Sequence, residues 1–399
     1  MLNLEKKGSD FKWLFLTYFD YPLKLLDPNG IINVGGESMN NTINVNENVQ
    51  IDIDLLLKQL PNNYHETCKT EKAIQRNTNS IKSEDDLLRS VFYYVSGHTM
   101  LEAAAYIQAV TNSHMSGPGF SKKFRACGNW IKRLLSDVSV DNKKIYSIGS
   151  KLDNRRVLAV DASNVSWAGS ASARYSLHYA FDIVSMSSAI WSVTKQSVGE
   201  SLTNFEFQKG DIVFGDRAYG TITGIEHCLK CSCDFILRLK NKSFKLFTAD
   251  NKEIKLHKLL DEVGQDCKEF LVYYKNSDSQ LCPLRLCAVK KTAEQQEYER
   301  KRDQRFESKK QYKLSKETKY THNYFFVVTS LGEEFSCEEI MSLYRLRWQV
   351  EIAFKRLKSL LEFGALPTRT GDSCETWLNA KMLFAVLIEK IDDMVFFSQ

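Results

Sequence analysis

Residues 344–358 read Tyr-Arg-Leu-Arg-Trp-Gln-Val-Glu-Ile-Ala-Phe-Lys-Arg-Leu-Lys. At about 100° per residue, Tyr344, Arg347, Glu351, Lys355 and Lys358 fall within roughly 80° of arc. Leu343, Leu346, Val350, Phe354, Leu357 and Leu361 gather on the other side. The spacing predicts one amphipathic helix whose polar stripe holds a single carboxylate among cations. A merely solvated face, the alternative, tends to mix signs. The stripe suits a place where a metal ion and nucleic-acid phosphates meet.

Two more carboxylates close apolar runs: Asp161 follows Val157-Leu158-Ala159-Val160, and Asp216 follows Ile212-Val213-Phe214-Gly215. Such runs predict strands with the aspartates at their termini, where a sheet presents side chains to a ligand crevice. An aspartate after a strand also serves as a turn former or helix cap. Either one alone therefore says little, but with Glu351 they make a candidate catalytic triad.

Hard cations account for these residue types. Mg²⁺ takes carboxylate oxygens, keeps several waters, and is held by one or two protein carboxylates plus substrate phosphate oxygens. Two such ions about 4 Å apart clamp the attacking and leaving oxygens of an in-line phosphoryl displacement. The expected arrangement has Asp161 bridging two Mg²⁺ ions, Asp216 holding one and Glu351 the other, with Mn²⁺ as a substitute. Arg347 would grip a DNA phosphate in a bidentate manner, and Lys355 and Lys358 would act as point charges.

The spacing Tyr344-x2-Arg347-x3-Glu351-x6-Lys358 is similar to the tyrosine-arginine-glutamate-lysine signature of the DDE transposases of the insertion sequence group numbered four, which are RNase H-like enzymes. Asp216-Arg217-Ala218-Tyr219-Gly220 resembles that family's block carrying the second aspartate, and Asp161-Ala162-Ser163 the block carrying the first. The three blocks occur in the family's order, and the resemblance runs from about residue 85 to the end. It implies nicking of element ends with water, joining of the 3′-hydroxyl to target DNA, and a homodimer on DNA. Arg217 and Tyr219 would join Tyr344, Arg347, Lys355 and Lys358 in contacting DNA.

The chain departs from the family in having Ala162 and Ala218 where glycines are frequent. No Trp lies between Trp191 and Trp348, so any base-stacking role there would fall to a Tyr or Phe. These departures and the unmatched first 80 residues motivate the rival expectation, a decayed transposase that only binds DNA.

The 399 residues are long enough for two or more domains, and 43% hydrophobic with 26% charged residues is an ordinary globular composition. No run reaches the roughly 18 uncharged apolar residues of a membrane span, and the start resembles no secretory signal, so a cytoplasmic protein is expected. The net charge of +5 is unevenly spread. Residues 1–90 carry 10 basic and 13 acidic residues, whereas 290–319 carry 11 basic and 6 acidic. That stretch is either a solvated segment or a polyanion contact, and the candidate site nearby favours DNA contact. Ten cysteines in a cytoplasmic chain predict thiols, not a disulfide frame. The cluster His227, Cys228, Cys231 and Cys233 reads as packing, with a structural metal as the alternative.

The fold expected is α/β: an RNase H-like mixed sheet flanked by helices, with a β-rich inserted domain and an N-terminal helical DNA-binding domain. Residues 1–80 stay unassigned, with an Asn- and Gly-rich loop over 27–64. Residues 81–150 read as helices over 83–95, 99–110 and 119–135, Ser83 and Asp86 marking the first start. Core strands and a helix fill 151–240. The interval 351 − 216 = 135 residues is too long for one strand–helix step and requires an insertion, placed at 241–321 with strands over 270–274 and 284–289. The core resumes over 322–371, and 372–399 holds an apolar helix packing on the core or on another subunit.

Overall fold

A computed structural model describes residues 23–26, 31–34, 49–74, 80–111, 113–138, 151–152, 155–167, 173–239, 244–360, 365–367 and 371–396. The chain divides into two compact units. One comprises Met1–Asp141, Val165–Ser172 and Lys355–Gln399, and the other Asn142–Asn164 and Ala173–Phe354.

In the second unit, ten strands among the described residues hydrogen-bond in the order Glu253–Ile254, Leu246–Phe247, Lys268–Lys275, Leu281–Lys290, Tyr324–Thr329, Asp234–Leu239, Ile212–Gly220, Val157–Trp167, Ala173–Asp182 and Ser187–Lys195. The Asp161, Asp216 and Asp234 strands run parallel, and the pairs measured at the outer positions are antiparallel, so the sheet is mixed. Alternation sorts its faces. Leu158, Val160, Val213, Phe235, Leu237, Phe326 and Val328 point into one core, joined by Ile225 and Cys228 of the helix Ile222–Lys230. The opposite face meets the helix Cys337–Arg345, where the Tyr344 and Phe325 rings lie 5.5 Å apart. There the Tyr179 ring meets Phe354 edge-on at 4.9 Å.

Two expectations change here. The strands of the insertion do not close on themselves as a separate β-domain. Leu281–Lys290 pairs along its length with Tyr324–Thr329 and so extends the core sheet. The insertion also carries a long helix, Ala293–Lys310, started by a capping box of Thr292 and Gln295. Two of the ten cysteines are bridged: Cys267, just before one strand, meets Cys337 at a helix start, with Cα atoms 6.1 Å apart. The other eight are free thiols. Sequence spacing hides this pair because the two residues lie 70 positions apart.

The starts of the three parallel strands are clamped by charge. Arg156 Nε and Nη2 donate to the Asp211 carboxylate at 2.9 and 2.7 Å. Arg155 donates to Asp234 at 2.5 Å and to the Gly210 carbonyl oxygen at 2.7 Å.

The first unit is mainly helical. Glu84–Val95 starts at Ser83, whose Oγ accepts from Asp86 N at 3.1 Å. Met100–Val110 follows a Thr99 capping box. The single helix expected over 119–135 is two, Gly117–Ala126 and Gly128–Val138, because Cys127 closes the first with a non-helical ψ of 3°. Gly371–Phe396 belongs with these helices: Lys381 Nζ donates to Val95 O at 2.6 Å, and the Phe384 and Phe92 rings lie 5.9 Å apart. Of the loop expected over 27–64, residues 27–30 and 35–48 lie outside the described residues. Leu23–Leu26, Ile31–Val34 and Val49–Asp52 instead pair as an antiparallel sheet, and Ile53–Leu57 and Tyr64–Thr70 are helices. No helix among the described residues is long and apolar enough to cross a membrane.

Candidate active site

The parallel register places the two aspartates. Val157, Leu158 and Ala159 pair with Ile212, Val213 and Phe214, an offset that makes Asp161 and Asp216 partners two residues beyond the last bonded pair. Neither residue ends its strand as the sequence suggested: the strands continue to Trp167 and Gly220. What ends is the ladder between them, so both carboxylates stand where the two strands cease to bond. On the other side, pairing runs to Gly215–Leu237 and then shifts register to Gly220–Leu239, and Arg238, between the two pairs, feels the charge of Asp216. Asp161 and Asp216 thus form a row on the face away from the main core. Close packing fixes the approach: a Cβ on Gly215 would sit 2.8 Å from Leu237, and one on Gly220 would run into the Arg238 carbonyl oxygen.

One oxygen of each aspartate is held by the backbone: Ala162 N donates to Asp161 Oδ1 at 2.8 Å, and Ala218 N to Asp216 Oδ1 at 2.8 Å. Burial pushes the Asp161 carboxyl up to about 6; the Ala162 amide and the Arg347 charge oppose this, and Asp216 and Glu200 add to it. Glu200, which no sequence signal marked, is itself raised by burial and by Asp216. Beneath them Tyr219 is 1% exposed. Its hydroxyl has no partner among the described residues and is raised by burial and by Asp161, Glu200 and Asp216. Paired hard oxygen donors, mutual repulsion and an orphaned hydroxyl fit a divalent cation of the magnesium type at Asp161 and Asp216.

Glu351 is placed differently. Its carboxylate accepts from Arg347 Nη2 at 2.5 Å and is half exposed. Among the described residues, no three His, Cys, Asp or Glu side chains stand close enough together to hold a metal ion. Arg347 links the groups, since it also feels the charge of Asp216 and lowers Asp161. The stripe is not one continuous helix: Tyr344 lies on Cys337–Arg345, a 3₁₀ turn covers Leu346–Trp348, and Glu351 lies on Gln349–Leu360. Tyr344 is buried, and its hydroxyl donates to Gly215 O at 3.1 Å, so it braces the residue before Asp216. Lys355 is exposed one turn beyond Glu351. The side chain of Lys358 lies outside the described residues.

Arg217 is pulled down to about 10 by burial, then by Arg238 and Arg302. Arg238 is a further residue the sequence reading missed, whereas Arg302 lies in the basic stretch 290–319. Of the thiol cluster, Cys228 packs in the core, Cys233 Sγ donates to Gln208 O at 3.1 Å, and His227 Nε2 lies 3.0 Å from Phe205 O.

A mixed sheet with two converging aspartates beside a cluster of arginines defines the acidic site of this chain. The family described as "Transposase DDE domain" matches residues 153–387, which include Asp161, Asp216 and Glu351. The chain belongs to this transposase DDE domain family. It is 28% identical over 324 residues to InsL of insertion sequence element IS186A of Escherichia coli (strain K12), covering 78% of this chain and 85% of the relative. It is 27% identical over 325 residues to the transposase for insertion sequence element IS421 of Escherichia coli, with the same coverage.

Proposed function

We propose that the chain is a DNA transposase of the insertion sequence group numbered four, with an RNase H-like core, that cuts the inverted-repeat ends of its element and joins them to target DNA. Oxygen nucleophiles attack phosphodiesters in both steps, so one site serves twice. Asp161 and Asp216 would hold Mg²⁺, or Mn²⁺ in its place, and Glu351 is the third catalytic carboxylate. When bound, the divalent ions polarise the phosphodiester and favour an ionised nucleophile. The backbone amides of Ala162 and Ala218 fix one oxygen of each aspartate. Arg347, Lys355, Lys358 and Arg217 grip DNA phosphates, while Tyr344 and Tyr219 support the strand that carries Asp216. The helices around Lys122, Arg125 and Lys132 bind element ends. Two ends must be processed together, so the working form is a cytoplasmic homodimer on DNA.

The observation that carries this reading is the register that sets Asp161 opposite Asp216 inside the family-matched segment. A second reading, a DNA-binding protein without catalysis, draws on the ion pair that holds Glu351 to Arg347. Purified protein, Mg²⁺, labelled DNA bearing the flanking inverted repeats and a target plasmid separate them. Joined product supports transposition and its loss in Asp161→Ala, Asp216→Ala and Glu351→Ala supports the triad. Cutting without joining indicates a nuclease, and a mobility shift without products supports the second reading.

A further inference from the structure

Beside the carboxylate row stand two arginines, Arg217 and Arg238, whose guanidinium groups no carboxylate pairs with directly among the described residues. Arg217 Nε is buried and has no hydrogen-bond partner among the described residues. Arg238 lies with its guanidinium carbon 5.2 Å from the centre of the Phe325 ring. Neither forms an ion pair among the described residues, whereas Arg347 has Glu351 and Arg302 has Glu299. Burial and then repulsion by Arg238 and Arg302 lower the pKa of Arg217, and burial lowers that of Arg238, with Glu299 opposing both shifts and Asp216 opposing the second. Buried like charges that no carboxylate bonds directly cost free energy that a bound anion relieves.

The third member comes from the inserted helix Ala293–Lys310. Arg302 Nη2 lies 3.0 Å from Glu299 Oε2, and Glu299 Oε1 accepts from Lys291 Nζ at 2.8 Å. Lys291 donates also to His322 O at 2.8 Å, so the inner end of this relay is anchored to backbone. The Lys291 and Glu299 side chains are 11% and 12% exposed, but Arg302 is 51% exposed. Its head therefore stands beside Glu299 and open to a ligand. At about 100° per residue, Tyr298, Arg305 and Lys309 share roughly 60° of arc with Arg302. All are exposed, Tyr298 by 65%. The stripe combines cations with an aromatic ring and contains no carboxylate beyond the helix's first turn, a composition that follows a nucleic-acid backbone.

We infer that Arg217, Arg238 and Arg302 form a seat for a DNA backbone phosphate distinct from the one at the carboxylates, and that the inserted helix leads the DNA away along the Tyr298–Arg305–Lys309 stripe. The inference rests on the reading of the chain as a DNA transposase.

The test is anisotropy of a fluorescein-labelled duplex of arbitrary sequence, titrated with the full chain in EDTA over a range of KCl concentrations. Arg302→Ala weakens binding about tenfold and lowers the slope of log affinity against log salt by about one, while Arg302→Lys keeps the slope. Arg300→Ala, on the same helix but with its guanidinium engaged by Glu297, leaves both unchanged. An unchanged melting temperature confirms that exposed Arg302 is not needed for folding. If the wild type binds and Arg302→Ala behaves like Arg300→Ala, the seat is refuted and the transposase reading stands. If the wild type does not bind the duplex at any salt concentration, both are refuted.

Discussion

Removing Arg156 tests how the acidic row is held in register. Its guanidinium makes two short bonds to Asp211, immediately before two strands whose parallel pairing sets Asp161 opposite Asp216. The Asp211 side chain is 3% exposed and that of Arg156 24%. Breaking a buried pair from one side costs about 3–5 kcal/mol because a charge is left without its partner. Asp211 Oδ2 still accepts from Gln208 N at 2.8 Å, so Arg156→Ala falls at the low end, about 3 kcal/mol. For a unit of about 200 residues, each kcal/mol moves the midpoint by about 2–4 °C, giving a loss of about 6–12 °C. Calorimetry of the wild type, Arg156→Ala, Asp211→Leu and the double variant Arg156→Met/Asp211→Leu supplies the data. The double variant recovers most of the loss, and added salt changes the wild-type value little because the pair is shielded from solvent. A loss below about 1 kcal/mol for Arg156→Ala, as at exposed pairs, would refute the reasoning.

Three further expectations concern the same unit. The raised pKa of Asp161 makes the metal-free protein lose stability as pH rises from about 4 to about 6, because the folded state holds the proton the unfolded chain releases. The shift from 3.8 to about 6 corresponds to about 3 kcal/mol. Urea midpoints in EDTA across that window should show this slope, and Asp161→Asn should flatten it. Reducing the Cys267–Cys337 bridge releases a loop of 70 residues, worth about 4 kcal/mol in chain entropy; identical melting with and without reductant would show that the bridge adds nothing. Tyr344→Phe removes a buried bond to Gly215 O, at about 1–2 kcal/mol, and an unchanged urea midpoint would remove its bracing role.

Much of the sheet was legible because its strands are local patterns. Val157–Val160 and Ile212–Phe214 are unbroken apolar runs, as strands buried on both faces require. The Ser83 cap was readable for the same reason, since its partner Asp86 stands three residues on. Pairings across long intervals left no such mark. Arg156 meets Asp211, Cys267 meets Cys337 and Lys381 meets Val95 only after the chain has folded. The break between the Tyr344 and Glu351 helices escaped periodicity because a 3₁₀ turn of three residues barely disturbs the apolar spacing. Arg238 was hidden inside an ordinary strand; its meaning comes from the charge of Asp216, which it feels across the irregular stretch of the pairing.

The most direct test is Mn²⁺ binding to the full chain, followed by the loss of free-ion signal in electron paramagnetic resonance, without DNA or turnover. Wild type should bind, and Asp161→Asn and Asp216→Asn should each weaken binding about tenfold or more, while Glu351→Gln, already engaged by Arg347, should have a smaller effect. Wild-type binding by both aspartate variants would contradict a shared seat.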